Sequence, residues 1–147
     1  MKELIDVMDD PFSSGVYVLK TDSAAQDLDE AVAKKGFGSF HVDGANVQDK
    51  NQFLSVFAKA LQFPAYFGFN WDALEDCLTD LSWHEADGYV IVYTRFDVFF
   101  EHDPEEARTA LDIMSDCADF WRGQGKTFLM LLGSIDEHLF DLQSVRH

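Results

Sequence analysis

The fold is decided by the stretch Phe128-Leu129-Met130-Leu131-Leu132, in which every residue is apolar. Such a run is typical of a strand that is covered on both faces, as in a parallel sheet with packed helices. A second run, Tyr89-Val90-Ile91-Val92-Tyr93, is the clearest strand of the chain. Shorter apolar segments at 16–19 and 37–42 predict further strands because turn residues follow them.

Helical patterns alternate with these strands. One helix start is Asp103-Pro104, which combines a capping aspartate with a proline at the first helical position. Alternating strands and helices favour right-handed crossovers in one sheet. We therefore predict an α/β fold with a small, largely parallel sheet of three or four strands and an extra N-terminal strand–helix unit. The predicted helices cover 24–35, about 49–63, about 70–81 and about 104–121.

The length of 147 residues predicts one domain, 1–147, with one hydrophobic core. No apolar run approaches the ~20 residues that a membrane span needs. Cys77 and Cys117 lie in apolar helical patterns, which fits a reducing compartment. We expect a cytoplasmic protein without a membrane partner. The tail 134–147 has two possible fates, since Leu139, Phe140 and Leu142 could dock while its end could fray.

The charge of the chain is unusual, with 27 acidic against 11 basic residues and a formal net charge of −16. Direct binding to nucleic acid is not expected, because phosphate contacts need a basic surface. A strongly negative field attracts basic partners and raises their association rate. Solubility alone is an equally good explanation of the charge.

The acidic residues are concentrated locally, because 60–94 contains six of them and no Lys or Arg. On a helical wheel the predicted helix 70–81 has one apolar side and one acidic side. Asp72, Asp76 and Asp80 follow at i, i+4 and i+8, where each like-charged pair costs roughly 0.2 to 0.5 kcal/mol. The apolar side carries Trp71, Leu74, Cys77, Leu78 and Leu81, and the acidic side carries Asp72, Glu75, Asp76 and Thr79.

Like-charged side chains stacked along one helix face, with no basic residue nearby in sequence to offset them, are a sign of a functional site. A carboxylate can replace a phosphate group, because it is anionic and accepts the bidentate fork of an Arg. Asp72, Asp76 and Asp80, with the aromatic Tyr66 on the preceding loop, would therefore suit a cationic cleft on another protein. The alternative is a solvated helix face without a partner.

The predicted loop and helix together read Phe63-Pro64-Ala65-Tyr66-Phe67-Gly68-Phe69-Asn70-Trp71-Asp72-Ala73-Leu74-Glu75-Asp76-Cys77-Leu78-Thr79-Asp80. This run resembles the pattern of the barstar family. This resemblance implies a barstar-like fold in which about 1–36 is an N-terminal extension. It also implies an intracellular inhibitor that binds a small basic ribonuclease in a one-to-one complex and has no catalytic activity. The shared residues are Pro64, Tyr66, Gly68, Asn70, Asp72-Ala73-Leu74, Asp76-Cys77-Leu78 and Thr79.

Carried over by position, the resemblance implies that Asp76 enters the phosphate site of the enzyme and that Asp72 contacts an enzyme arginine. Tyr66 and Thr79 match further contact positions. The chain departs from the family pattern at Glu75, where the family has a tryptophan, and at Asp80-Leu81, where it has Gly-Trp. Glu75 and Asp80 thus add acids to the predicted surface. The family also has a contact glutamate late in its last long helix. The corresponding region of this chain reads Asp119-Phe120-Trp121-Arg122 and offers no secure match.

Two other classes of function are compatible with the acidic helix. One is an acidic adaptor for another basic protein. The other is a divalent-metal hydrolase that uses the Asp72, Asp76 and Asp80 stripe, although a second set of ligands is not evident. No phosphate-binding loop, dinucleotide fingerprint or nucleophile elbow is present in the sequence. We therefore expect neither a cofactor nor a metal ion.

Overall fold

The structure is a computed structural model that describes residues 1–20 and 25–147. Its strands form a six-stranded sheet in the order β1-β6-β2-β5-β4-β3, and each neighbouring pair is parallel. This confirms the predicted α/β class. The strands are β1 (Lys2–Glu3), β2 (Gly15–Lys20), β3 (Gly38–Asp43), β4 (Gly88–Thr94), β5 (Thr127–Leu132) and β6 (Gln143–Arg146).

The prediction of three or four strands is wrong, because both ends of the chain add a strand. β6 pairs with β2 through Leu19↔Val145, and β1 pairs with β6 through Lys2↔Val145. Val145 is the one buried residue of β6, so this strand has no apolar run by which its sequence could be recognised. The end of the tail is thus a paired strand and not a frayed segment.

Helices fill the connections between the strands. The predicted helices are confirmed with shifted ends, except that Ala24, the predicted start of one, lies outside the described residues. The helices near Leu4, Phe96 and Glu137 were not predicted, because they are short and lack a long periodic pattern. The helices are α1 (Leu4–Met8), α2 (Ala25–Lys34), α3 (Lys50–Ala60), α4 (Trp71–Leu78), α5 (Phe96–His102), α6 (Pro104–Gly123) and α7 (Glu137–Phe140). Short 3-10 helices cover Pro11–Ser13 and Ser82–His84.

The sheet is covered on both faces, as the apolar run in β5 predicts. Met130 belongs to the larger core with α3, α4, α5 and α6, whereas the neighbouring Leu129 belongs to a smaller core with α1 and α2. Phe140 and Leu142 of the tail pack against the larger core, and the side chain of Leu139 lies outside the description. The helices within residues 1–20 and 25–147 are too short or too polar to span a lipid bilayer.

Candidate protein-binding surface

The loop before α4 rests on a row of aromatic rings. Trp83 donates its indole N–H to the Leu61 carbonyl oxygen at 3.1 Å, at the end of α3. The ring of Phe63 lies 6.0 Å from that of Trp83 and 4.9 Å from that of Phe67, between ring centroids. Phe67 is buried and lies 4.7 Å from Phe69, which is exposed. The row therefore connects the core to the surface of the loop.

The helix α4 begins at a strong N-terminal cap. The side-chain oxygen of Asn70 accepts a hydrogen bond from the Ala73 backbone N–H at 2.7 Å. Asp72 lies in the first turn, where the partial positive charge of the helix terminus favours an anion. The cap thus fixes where the helix starts and where Asp72 emerges.

The two faces of α4 differ as the helical wheel predicts. Its buried side chains are those of Leu74, Cys77 and Leu78. Asp72 and Asp76, one turn apart, are exposed, and Glu75 is half-buried. The Glu75 carboxylate lies close enough to α6 to raise the pKa of the Cys117 thiol, although burial of Cys117 is the larger cause. Asp72 and Asp76 are therefore the two exposed acids of α4.

Both ends of α4 are attached to α6 by tryptophan side chains. At its start, Trp71 donates its indole N–H to the Glu106 carboxylate at 2.8 Å. At its end, the Leu78 carbonyl oxygen accepts from the indole N–H of Trp121, also at 2.8 Å. These bonds hold α4 on α6 independently of its apolar face, so its carboxylates are presented by a fixed element.

The predicted helix end at about Leu81 is wrong, because α4 stops at Leu78 and is followed by a turn. Leu81 is fully buried with a φ of 50°, a left-handed conformation that cannot continue the helix. Asp80 therefore lies beyond the helix and not one helical turn after Asp76. Its carboxylate accepts a hydrogen bond from the Ser82 hydroxyl at 3.2 Å.

Asp80 nevertheless remains on the same surface as the loop. Partial desolvation, and then the neighbouring Asp80 and Cys77, raise the pKa of the Tyr66 phenol above its usual 10.0. Burial, and then Asp80 and Asp76, similarly raise the pKa of the Cys77 thiol. Because Asp80 acts on both groups, it lies near both the loop and the end of α4. We call Tyr66, Asp72, Glu75, Asp76, Thr79 and Asp80 together the acidic surface.

Thr79 has only part of its hydrogen-bonding capacity free. Its hydroxyl is half-buried at the C-terminal cap of α4 and donates to the Glu75 carbonyl oxygen at 2.7 Å. The oxygen of this hydroxyl can still accept a hydrogen bond. Thr79 is therefore suited to a cationic or N–H donor on a partner.

The next feature of the acidic surface is the pairing of its carboxylates. Within the described part of the chain, Asp72, Glu75, Asp76 and Asp80 form no ion pair with Lys, Arg or His. The side chain of Lys50 comes near α4, but it lies over the Trp71 ring, 5.5 Å from the centroid. The negative charge is therefore available to a partner.

Other parts of the protein surface differ from the acidic surface. Within residues 1–20 and 25–147, no three His, Cys, Asp or Glu side chains come together as a metal ion would require. A groove of about 750 Å³ lies between β3 and α3, lined by residues such as His41 and Lys59. None of its lining residues belongs to the loop or to α4. In the region without a match to the family glutamate, Asp119 pairs with Arg122.

The sequence did not lead us to predict Phe69 as an exposed residue of this surface. Its side chain is 54% exposed, and it precedes the Asn70 cap. A signal existed, since an aromatic residue stands between Gly68 and a helix cap, where polar turn residues are usual.

The family model described as barstar (barnase inhibitor) matches residues 37–133. The chain belongs to the barstar family. The barstar match begins one residue before β3 and ends one residue after β5, so it contains the loop before α4, α4 itself and the whole acidic surface. The expected resemblance is thereby confirmed at the level of the family.

A solved structure similar to this barstar-family chain is the ORC2 protein of Aeropyrum pernix in ADPNP-ADP complexes, with a TM-score of 0.58 and 16% identity. The match covers 87% of this chain and 37% of that chain, so this chain spans little more than a third of its length. At this identity the likeness is one of fold alone. No curated protein matches the chain.

The barstar-family chain contains a Gly125-Lys126-Thr127 tripeptide, which also occurs in phosphate-binding loops. Here it leads from α6 into β5, whereas a phosphate-binding loop leads from a strand into a helix. Lys126 donates to the Ala86 carbonyl oxygen at 2.9 Å, and the buried Thr127 hydroxyl donates to that of Met8 at 3.1 Å. Both side chains are engaged within the fold, so the tripeptide does not form a phosphate site.

Proposed function

We propose that this chain is an inhibitor that binds a small basic ribonuclease one-to-one and blocks its active site with the acidic surface. The observation that carries the proposal is the attachment of α4 to α6 at both of its ends. The helix is held at both ends by tryptophans, while Asp72 and Asp76 are exposed and form no ion pair with any of the residues that the structure describes. Membership of the barstar family supports the class of partner.

The chemistry of the contact follows from charge and geometry. A ribonuclease that holds RNA phosphates must carry cationic side chains in its active site. The Asp76 carboxylate offers two acceptor oxygens to an Arg in place of a phosphate, and Asp72 offers two more. A fixed helix positions both before the partner arrives, which lowers the entropy lost on binding.

The formal net charge of −16 supports fast association with a cationic enzyme. Because the attraction is partly long-range, we expect association to slow as salt is added. In this proposal the inhibitor acts in the cytoplasm, where Cys77 and Cys117 remain free thiols. Blocking the enzyme needs binding alone, so no residue receives a catalytic role.

The first experiment is inhibition of a panel of small basic ribonucleases, including barnase, by the purified chain and by Asp76→Ala. Truncating one member of a buried charge pair costs about 2 to 5 kcal/mol, a range for which barnase–barstar itself is a reference case. We therefore expect Asp76→Ala to weaken inhibition by at least about 30-fold, since 1.4 kcal/mol corresponds to tenfold.

The matched control is Asp27→Ala, which removes the same charge from an exposed position on α2, across the sheet. It should inhibit like the unsubstituted chain. Equal losses in the two variants would point to net charge and not to a defined surface. Failure of the unsubstituted chain to bind any panel enzyme would contradict the proposal and favour an acidic adaptor for another basic protein.

A further inference from the structure

Phe69 has an unfavourable backbone conformation. Its φ is 51°, in the left-handed region where a β-carbon crowds the backbone and glycine or asparagine is preferred. Two other residues near the loop share this conformation for evident reasons. Gln62 follows the end of α3, where a left-handed residue commonly terminates a helix, and Leu81 is fully buried. Neither reason applies to Phe69, which is 54% exposed.

The exposed ring nevertheless packs on the protein. It packs on buried Phe67 with centroids 4.7 Å apart, and Phe67 is packed on Phe63 in turn. An aromatic side chain fixed in this way loses little conformational freedom when it is covered, which is the property of an interface anchor. A strained, exposed residue at such a position is a reasonable sign of function.

The position of Phe69 connects it to the acidic surface. It lies on the same loop as Tyr66, which is 73% exposed, and immediately before the cap of the helix that carries Asp72 and Asp76. Interfaces combine aromatic anchors with polar contacts around them. A partner that covers Asp72 and Asp76 would therefore also meet the ring of Phe69.

We propose that Phe69 is a specificity-determining contact residue, whose ring enters an apolar pocket beside the cationic cleft of the ribonuclease. This inference rests on the proposed function and adds a requirement to it. The partner must present apolar or aromatic side chains next to its cationic groups. A basic enzyme without such a pocket is expected to bind more weakly, because the ring would meet polar groups that lose their water.

The competing explanation is structural. Phe69 precedes the helix cap, where an apolar residue can stabilise a helix start by packing on the fourth residue of the helix, here Leu74. In that case removing the ring would destabilise the protein. If Phe69 serves binding, removing the ring weakens binding, and glycine relieves the backbone strain.

The test compares Phe69→Gly, Phe69→Ala and Phe69→Tyr in the full chain. Affinity is measured for barnase and for the panel ribonuclease that the unsubstituted chain inhibits most, and stability by denaturant unfolding. We expect the Gly and Ala variants to bind at least tenfold more weakly and Phe69→Tyr to bind within about threefold. The Gly variant should be more stable than the Ala variant.

Each other outcome overturns the inference in a recognisable way. Unchanged affinity of Phe69→Gly, with binding still lost in Asp76→Ala, would overturn the role of Phe69 and leave the proposed function standing. A large loss of stability in Phe69→Gly, with the affinity of the folded fraction unchanged, would establish the structural explanation. If the unsubstituted chain binds no panel enzyme, both proposals fail.

Discussion

At the scale of single residues, the carboxylates of this protein differ in whether a cation pairs with them. Asp97 accepts two hydrogen bonds from Arg95, at 3.0 and 3.1 Å, and these hold the pKa of its carboxyl group below the usual value. Asp119 similarly pairs with Arg122. Asp72 and Asp76 lack such partners among the described residues. With 11 basic residues against 27 acids, many carboxylates of the chain cannot have a cation of their own.

The electrostatic effect of Asp80 on the pKa of Tyr66 gives a prediction at this scale. A phenolate beside a carboxylate is disfavoured, so Asp80→Asn should lower the pKa of Tyr66 toward 10.0. An NMR titration that resolves the Tyr66 ring measures this. Asp27→Asn, which removes a charge from α2 across the sheet, should leave that pKa unchanged. No change with Asp80→Asn would place Asp80 away from the loop.

At the scale of elements, α4 is a short helix whose stability comes from its attachment to α6. A helix of 8 residues is not stable alone in water. Here Leu74 and Leu78 bury its apolar face, and Trp71 and Trp121 tie its two ends. The surface that a partner would contact is therefore only as well defined as these attachments.

We predict that Trp121→Phe lowers the free energy of unfolding by about 1 to 3 kcal/mol, because the buried Leu78 carbonyl loses its donor. The same change should weaken ribonuclease binding, since the end of α4 that bears Asp76 is less constrained. Denaturant unfolding and binding assays measure the two effects. Trp71→Phe tests the other end in the same way. Unchanged stability in both variants would contradict the attachment of α4 by indole bonds.

At the scale of the whole molecule, the two ends of the chain complete one side of the sheet. β6 lies between β1 and β2, so the first strand contacts the sheet only through the last. Arg146 also pairs with Glu3 across these strands. The acidic surface belongs to the opposite side, in the connection from β3 to β4. A substitution in β1 or β6 should therefore change the stability of the protein without changing the binding of a partner by α4.

Val145→Ala should accordingly lower the free energy of unfolding by about 2 kcal/mol, because Val145 is fully buried between β1 and β2. Ribonuclease binding by the folded protein should be unchanged. Ile5→Ala, at a half-exposed position of α1, is the control and should have a smaller effect. If Val145→Ala is as stable as the unsubstituted chain, the last strand does not dock as described.

Much of the fold was predictable where local pattern and burial agree. The strands at Tyr89-Val90-Ile91-Val92-Tyr93 and Phe128-Leu129-Met130-Leu131-Leu132 are apolar throughout because each lies inside the sheet with both faces covered. β6 was not predictable, because only Val145 is buried and the strand is defined by backbone pairing with distant residues. The position of Asp80 beyond the helix was not predictable either, since the end of α4 depends on the burial of Leu81.

The sequence by itself determined the α/β class, the acidic and apolar faces of α4 and the family motif around it, because these depend on periodicity and residue type. Only the tertiary structure decided the number of strands, the end of α4 at Leu78 and the exposure of Phe69. The physical reason is that strand pairing, helix termination by a buried residue and the covering of a ring all depend on neighbours far along the chain. Local pattern specifies what each segment can be, and packing selects what it becomes.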